Sequence, residues 1–421
     1  MIECIRGFLK QAYIRDVFVL FIISRLFIFA IGELAYNVFP KYNSPPRYRT
    51  VVASRNTLAP RYKKAYEKVL LLPVYPTKFK IFSVDHWNKF DSYWYEDIAK
   101  NGYDRFDIRK KHPQANWNFF PLYPMLLWLA SRIFPVRASG MVMSNIFIYA
   151  ALAILYRFIE KRYSSAIAER TVFYTLIAPA SFYFSVAYSE SLFLFLIVLG
   201  FYLAYEKRFV WASVVTALAA ITRIPGFLLF FVVAYKYLKA RGIELRRPKI
   251  ADFKKLNWSA AALALAPLPL LGFLSYMKVL TGDFLAPIHE QQIWGRTATF
   301  PLWPIIRYIL YPYFTTASGW DLGIFSFVVT VVALISLVVG WKRVDKVMLA
   351  FAFGLILLPL ASANIYFAGM VRYCLVIFPL YLIWAQWGEK SHIFSQVLTM
   401  YLLGSSTFYL IAFMGNFRFV A

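Results

Sequence analysis

The chain has 421 residues, of which 60% are hydrophobic, 20% aromatic and only 16% charged. Soluble domains are roughly half apolar and about a quarter charged, so this composition excludes an ordinary soluble domain and predicts an all-α polytopic membrane protein. The formal charge of +25 is more typical of cytoplasmic loops and contact with membrane lipids than of nucleic-acid binding, for which no motif is present. Cys4 and Cys374 lack a metal or redox spacing, so both are expected to be free thiols.

The first predicted span covers residues 17–38 and contains the polar residues Ser24, Arg25 and Glu33. A basic N-terminus without a small-residue cleavage site precedes it, which favours a retained signal anchor. Charges inside an apolar helix are costly. Arg25 and Glu33 are therefore expected to face the bundle and pair, or else to be relieved by snorkelling.

A long polar loop follows this span. Its basic half, about residues 41–80, would lie on lipid headgroups, bind a phosphate or form a solvated insert. Its second half combines aromatic residues and two histidines with six acids: Asp85, Asp91, Glu96, Asp97, Asp104 and Asp107. Within it, His86 stands next to Asp85 and is a candidate substrate contact.

The apolar run at residues 119–135 decides the topology of the rest of the chain. If it does not cross the membrane, 18 basic residues fall in later cytoplasmic loops and four in the opposite loops, as the positive-inside rule favours. It is therefore predicted to be a juxtamembrane helix, with residues 40–138 forming a non-cytoplasmic loop. The chain is therefore predicted to form one domain, residues 1–421, with about eleven spans and a cytoplasmic N-terminus.

The later spans are predicted at about residues 140–156, 171–186, 191–205, 209–222, 226–238, 258–277, 322–341, 347–361, 371–386 and 393–414.

Three polar features lie on the same predicted side as the acidic loop. In PASFYFSVAYSES, residues 179–191, an irregular backbone is expected, and Glu190 would either belong to a site or pair structurally with an arginine. Arg223 in TRIPG and Arg372 in GMVRY carry planar, permanently charged forks suited to phosphate. The alternative for each arginine is a snorkelling position at a helix end.

Motifs for other chemistries are absent from the sequence. No GxGxxG, GxxxxGK[ST] or HExxH pattern occurs, which gives no support to a dinucleotide, ATP or zinc-protease site. His289 stands among scattered acids without the repeated ligand spacing of a zinc site.

Several segments together resemble the PIG-V-type mannosyltransferases, the family that includes the second mannosyltransferase of GPI-anchor assembly. They are FDSYWYEDIAKNGY at 90–103, NFFPLYP at 118–124, PASFYFSVAYSES at 179–191 and MVRYCLVIFPLYL at 370–382. TRIPGFL at 222–228 is similar to the Arg and Gly segment of that family, although Ile224 and Pro225 stand where Ser and Asn are common. The basic insert at 41–80 departs from the family pattern.

The resemblance implies a GT-C-type bundle with juxtamembrane helices in its first outer loop. It also implies inverting transfer of a hexose, with mannose expected, from a polyprenyl- or dolichyl-phosphate donor on the non-cytoplasmic face. Asp91 matches the catalytic acid of that loop and would act as general base. The residues expected to bind substrate are Asp85, His86, Trp94, Tyr95, Asn118, Tyr188, Glu190, Arg223 and Arg372.

Several features stay open at this level. The acceptor could be a glycan, a glycolipid or a protein, and a divalent cation, Mg²⁺ or Mn²⁺, could bridge the donor phosphate to Asp85 or Asp91. The membrane would be a prokaryotic plasma membrane, or the endoplasmic reticulum in a eukaryote. A different class of function is a secondary transporter or lipid flippase with the first loop as a lid.

Overall fold

The computed structural model describes residues 12–38, 82–110, 114–244, 254–293, 295–312, 323–362 and 369–417. These residues form α-helices and short 3-10 helices and contain no β-strand, which confirms the predicted all-α class. The basic half of the first loop, 41–80, and Cys4 lie outside the described residues. Cys374 is a buried free thiol.

The α-helices in chain order are α1 (Ala12–Val38), α2 (Val84–Trp87), α3 (Asp91–Asn101), α4 (Leu122–Ala130), α5 (Val136–Glu160), α6 (Ser165–Leu176), α7 (Glu190–Tyr205), α8 (Phe209–Ala220), α9 (Leu228–Ala240), α10 (Trp258–Leu265), α11 (Leu268–Thr281), α12 (Ala286–His289), α13 (Trp303–Leu310), α14 (Gly323–Val339), α15 (Lys346–Ala361), α16 (Met370–Leu375), α17 (Phe378–Lys390) and α18 (His392–Met414).

Within the described residues, four helical stretches are long and apolar enough to cross a membrane: Tyr13–Val38, Val136–Glu160, Trp258–Thr281 and His392–Met414. The shortest of them has 23 residues. At 1.5 Å per residue this gives roughly 35 Å, more than the roughly 30 Å of a bilayer core. The chain is therefore an integral membrane protein, while the total of eleven spans stays a prediction.

Besides the span expected at 258–277, which α10 and α11 form together, two predicted spans are interrupted. The span expected at 171–186 ends with α6 at Leu176, and residues 177–189 continue as a buried segment whose only regular part is a 3-10 turn, Ser181–Phe184. The span expected at 371–386 is divided between α16 and α17. Proline contributes to both breaks, because Pro179 disfavours helix at the residue before it, and Pro379, in the first turn of α17, has no N–H with which the helix of α16 could continue.

Helix α4 has nine residues, which corresponds to about 14 Å and is too short to cross a bilayer core. The N–H of Leu122, its first residue, donates to the carbonyl of Ile221 at 3.0 Å, while Met125 and Leu129 are exposed. That this short helix lies along the membrane surface stays a prediction.

Helix α7 lies at the centre of the bundle and packs against α5, α8 and α9. It is apolar on all sides, as expected of a helix enclosed by others. Gly140 of α5 lets that helix approach the buried segment 177–189, because a Cβ at this position would lie 2.4 Å from the Cβ of Ala187. The segment leading into α7 is consequently enclosed by protein.

Candidate functional site

The start of α3 places Asp91 against the buried segment 177–189. The N–H of Asp91 donates to the Tyr188 hydroxyl at 3.1 Å, and this hydroxyl donates to the carbonyl of Lys89 at 3.2 Å. Phe90 has a φ of 49°, which is uncommon for a residue with a side chain and costs about 1–3 kcal/mol. Lys89 Nζ donates in turn to the carbonyl of Met414 at 3.1 Å. These contacts fix the backbone that presents Asp91.

Side chains from the surrounding helices contact both the side chains and the backbone of the irregular segment 177–189. Arg25 Nη1 of α1 donates to Ser185 Oγ at 2.6 Å, and Ser144 Oγ of α5 donates to the carbonyl of Tyr188 at 3.4 Å. Non-helical backbone is tolerated at membrane depth only where such partners replace water. Arg25 therefore holds the segment that carries Tyr188.

The prediction that Arg25 and Glu33 face the bundle is confirmed, but the expected pairing between them is wrong. Their separation of eight residues corresponds to about 12 Å along the helix axis. Glu33 instead accepts from Trp87 Nε1 at 2.8 Å and lies 2.9 Å from His86 Nδ1. It attaches α2 to the first span.

Two acids and two arginines from four separate segments meet in one ion-pair cluster. Arg372 of α16 donates to Asp91, and Arg223 donates to Glu190 at the start of α7. Arg372 Nε also lies 3.2 Å from Glu190 Oε1, within ion-pair distance but without the alignment of a hydrogen bond. The order of contacts is thus Asp91, Arg372, Glu190, Arg223.

Burial makes this pairing energetically necessary. The side chain of Glu190 is 1% exposed, that of Arg372 is 11% exposed and that of Asp91 is 17% exposed. A buried charge without a partner would cost several kcal/mol. Within the described part of the chain, Glu190 Oε2 is buried and accepts no hydrogen bond. Glu190 was predicted either to belong to a site or to pair structurally with an arginine. This geometry is compatible with both roles, because the ion pairs of Glu190 are also the contacts that hold the cluster together.

Tyrosine rings enclose the guanidinium of Arg372. Its Cζ lies 5.7 Å from the ring centre of Tyr183, 5.5 Å from that of Tyr188 and 5.9 Å from that of Tyr373. Cation–π attraction of this kind contributes about 0.5–2 kcal/mol per contact. The rings orient the guanidinium and keep water away from it.

The TRIPG turn positions Arg223. Helix α8 ends at Ala220, Arg223 is extended with a φ of −156°, and a 3-10 turn, Ile224–Phe227, follows. A Cβ at Gly226 would lie 2.1 Å from the carbonyl oxygen of Ala219. Glycine is therefore required where this turn folds back on α8.

Asp85 and His86 have partners outside the ion-pair cluster. Asp85 Oδ1 accepts from Arg137 Nη1 at 2.7 Å, and its side chain is 66% exposed. The His86 ring lies against Glu33 and stacks on Tyr36 with 3.6 Å between ring centres. The structure gives His86 a structural contact, and its role in substrate binding stays a prediction.

The other three predicted residues line the contact between α3 and the start of α4. Trp94 stacks on Phe119 at 5.9 Å between ring centres, and the Tyr95 hydroxyl lies 2.8 Å from Ser189 Oγ. Asn118 Oδ1 is buried and has no hydrogen-bond partner among the described residues. It is an acceptor atom that a ligand hydroxyl could satisfy.

Glu96 joins α3 to α5. It accepts hydrogen bonds from Asn88 at 2.8 Å, Lys100 at 2.5 Å and Arg137 at 3.0 Å. Burial raises the pKa of Glu96, but these three donors outweigh the burial and hold the pKa below its ordinary value. Because Asp91 begins the same helix, this junction sets the direction in which Asp91 points.

Arg296 is a charged residue beside the cluster that the sequence did not identify as a candidate site residue. Arg296 Cζ lies 4.9 Å from the centre of the Tyr373 ring. In the sequence, Arg296 counted only as a basic residue of an outer loop. The glycine directly before it, Gly295, was the one signal that the backbone turns sharply at this point.

Within the described ranges, no group of three or more His, Cys, Asp or Glu residues could hold a metal ion. Asp85 and Asp91, either of which could be bridged to the donor phosphate by a divalent cation, accept from different arginines. A cation held by either acid would thus take most of its ligands from the phosphate and water.

Comparison with protein-family models gives no match, and no curated protein matches the chain. Solved structures of the Archaeoglobus fulgidus oligosaccharyltransferase are similar to it. The complex with Zn and sulfate is 15% identical with a TM-score of 0.45, covering 95% of this chain and 53% of that one. The complex of the archaeal oligosaccharyltransferase AglB with an inhibitory peptide and a dolichol-phosphate is 14% identical with a TM-score of 0.41, covering 96% and 56%.

The form tethered with an acceptor peptide is 15% identical with a TM-score of 0.42, covering 98% of this chain and 55% of that one. The chain spans about half the length of these proteins. TM-scores below 0.5 do not establish a common fold.

Proposed function

We propose that this protein is an inverting glycosyltransferase that moves a hexose from a polyprenyl- or dolichyl-phosphate donor to an acceptor hydroxyl. The reaction would take place at the non-cytoplasmic membrane face, with Asp91 as general base. Mannose is the sugar that the resemblance to PIG-V-type enzymes implies. A GT-C-type arrangement of the bundle belongs to the same proposal.

The observation that carries this proposal is the convergence of a carboxylate and two arginines in one enclosed cluster. Asp91, Arg372 and Arg223 come from α3, α16 and the turn after α8, which are far apart in sequence. Glycosyl transfer from a phosphate needs these two chemistries side by side, a base for the acceptor and cations for the leaving group. These groups meet although their segments are far apart in the sequence, as the proposed transfer requires.

The Asp91 carboxylate takes the proton of the acceptor hydroxyl while the hydroxyl oxygen attacks the anomeric carbon opposite the phosphate. The bond between the anomeric carbon and the phosphate oxygen breaks, and its electron pair leaves with the polyprenyl phosphate. Because the leaving phosphate gains negative charge, nearby guanidinium groups stabilise the transition state more than the ground state.

The ion pair between Asp91 and Arg372 supports these two roles, the base for Asp91 and the stabiliser of the leaving phosphate for Arg372. Oδ2 of Asp91 accepts from Arg372, whereas Oδ1 accepts no side-chain hydrogen bond from the described residues. Arg372 occupies Oδ2, and Oδ1 is the oxygen that would receive the proton. When a donor phosphate arrives, Arg372 has an alternative anionic partner, which would free Asp91 as a base.

The proposal is tested by hexose transfer from a synthetic short-chain prenyl-phosphate mannose to an acceptor in detergent. The stereochemistry of the product distinguishes inversion from retention. Addition of EDTA, followed by Mg²⁺ or Mn²⁺, decides whether a cation takes part. Absence of transfer from any prenyl-phosphate sugar, together with substrate uptake by reconstituted vesicles, would refute the enzyme and favour the transporter.

A further inference from the structure

Arg25 is a buried charge inside the first span, where it is only 5% exposed. Its Nη1 donates to Ser185 Oγ at 2.6 Å, and its Nε donates to Ser24 Oγ at 3.3 Å. Nη2 is buried and has no hydrogen-bond partner among the described residues. No carboxylate of these residues lies within ion-pair distance of Arg25, and Glu33 of the same helix contacts α2 instead.

An unpaired cation at this depth is unfavourable for folding. Removing a charge from water is costly, and only a well-placed counter-charge offsets that cost. Arg223 and Arg372 have carboxylate partners, whereas Arg25 has hydroxyl groups and the ring of Phe21, whose centre lies 5.7 Å from its Cζ. An apolar side chain of similar length would fill this position without the charge. The stability of the bundle therefore gives no reason for a guanidinium here.

The strongest contact of Arg25 is its bond to Ser185 in the buried segment 177–189. Ser185 Oγ accepts from Arg25 and donates to Asn145 Oδ1 of α5 at 3.0 Å. Asn145 Nδ2 also lies 3.5 Å from the carbonyl oxygen of Ser185. Ser185 is thus held from α1 and from α5. A hydrogen bond from a charged donor is roughly twice as strong as a neutral one, so Arg25 supplies the firmer of the two holds.

A tight stretch of backbone connects Ser185 to Asp91. The N–H of Ser185 donates to the carbonyl of Phe182 at 2.8 Å, and the N–H of Tyr188 donates to that of Val186 at 2.7 Å. Ser185, Val186 and Tyr188 are fully buried, and close packing leaves this stretch little room to adjust. The Tyr188 hydroxyl then accepts from the N–H of Asp91 at 3.1 Å. A displacement at Ser185 therefore reaches the start of α3.

We infer that Arg25 is a positioning residue for the proposed transfer, which acts through Ser185 and Tyr188 on the carboxylate of Asp91. This inference rests on the proposed function and adds a residue of the first span, which the family resemblance does not include. Arg25 is enclosed by protein and does not touch the substrate. A displacement of about 1 Å at a reacting group lowers a rate by up to about a hundredfold, so the effect is expected on kcat and not on the donor KM.

The test measures initial rates of transfer from prenyl-phosphate mannose and thermal unfolding in detergent for wild type and Arg25→Met. Methionine keeps much of the length of the side chain without its charge, and Ser185 Oγ retains its bond to Asn145. We expect kcat to fall about tenfold, the size of effect typical of a lost hydrogen bond to a charged group, with little change in the donor KM. The unfolding temperature should stay at the wild-type value or rise, because an unpaired buried charge is removed.

Lys236→Met is the matched control, because it removes a cation that has a partner. Lys236 Nζ lies 3.0 Å from Asp345 Oδ2, and its side chain is 15% exposed. This variant should lower the unfolding temperature and leave kcat unchanged, which is the opposite of the pattern expected for Arg25→Met. Arg25→Lys keeps a charged donor and should recover part of the lost kcat.

A double variant tests the route from Arg25 to the base. If Arg25 acts through Tyr188, Arg25→Met and Tyr188→Phe break the same connection, and their combined loss of kcat should be clearly smaller than the product of the two single losses. A combined loss equal to that product would refute the route through Tyr188.

The remaining results separate this inference from the proposed function. If wild type transfers the sugar and Arg25→Met has the wild-type kcat, the role of Arg25 is refuted and the enzyme remains. The role is also refuted if the unfolding temperature of Arg25→Met falls as far as that of Lys236→Met, because Arg25 would then be a structural support. If wild type transfers no sugar, the proposed function fails, and this inference fails with it.

Discussion

Replacing Asp91 with Asn removes one negative charge at the start of α3 while keeping the size of the side chain. The amide cannot take a proton from the acceptor hydroxyl. A positioned general base contributes about 10²-fold to 10⁴-fold to a rate, which corresponds to about 2.7–5.4 kcal/mol of the barrier. We therefore expect kcat to fall by at least about a hundredfold.

The structure also predicts a cost in stability, because the variant leaves Arg372 without its carboxylate partner. Breaking a fully buried pair costs about 3–5 kcal/mol. The cost here should be smaller, since both side chains retain some exposure and Glu190 Oε1 remains 3.2 Å from Arg372 Nε. A lower unfolding temperature in detergent is expected, with the protein still folded.

The assay measures initial rates of hexose transfer with wild type, Asp91→Asn and Asp97→Asn. Asp97 is a matched control, because it lies on the same helix but accepts from Asn101 at 2.8 Å and Asn116 at 3.1 Å. The double variant Asp91→Asn/Arg372→Gln separates catalysis from stability. It should regain part of the unfolding temperature and remain inactive. Transfer by Asp91→Asn within about threefold of wild type, far above the loss expected for a general base, would refute Asp91 in that role.

Three further predictions concern the support of the site. Tyr188→Phe removes the hydroxyl that joins the backbone of Lys89 to that of Asp91. Because one buried hydrogen-bonded group is worth roughly 1–3 kcal/mol, kcat should fall about tenfold with little change in the donor KM. An unchanged kcat would contradict this. Gly226→Ala places a Cβ 2.1 Å from the Ala219 carbonyl and should raise the donor KM and lower the unfolding temperature, whereas Gly404→Ala, with nothing within 4 Å, should do neither. Because the pKa of Glu96 is lowered in the folded protein, its ionised carboxylate stabilises the fold at pH values above the ordinary carboxyl value of 4.5. The unfolding temperature should therefore fall as the pH drops from 4.5 through the lowered pKa. In Glu96→Gln, the unfolding temperature should fall less over the same pH range.

Hydropathy predicted the long helices well, because the bilayer imposes one length and one composition on them. Helices α1, α7 and α18 begin or end within a few residues of the predicted spans. The breaks were harder to predict, since the segment 177–189 contains enough apolar residues to resemble the second half of a span. Pro179 signalled the irregular segment, but its depth of burial depends on Arg25 and Ser144, which are distant in sequence.

The partners of charged residues could not be derived from sequence alone. Asp91 and Arg372 are 281 positions apart, and nothing in the local pattern of either residue specifies the other. Glu33 was recognised as an interior charge, yet its contacts with α2 depend on how the first loop folds back. Arg296 shows the same limit, because a lone arginine after a glycine has no distinctive spacing.

The enclosed segment 177–189 constrains how the protein is made. Its unpaired peptide groups cannot enter lipid during insertion, so they need water or the insertion machinery until protein partners surround them. Two residues that help to enclose the segment belong to α18, where Ser406 Oγ lies 3.4 Å from Ser181 Oγ and Phe413 packs on Phe182 at 4.9 Å between ring centres. Chains that stop before α18 are therefore expected to insert their early helices yet remain inactive and exposed to membrane quality control.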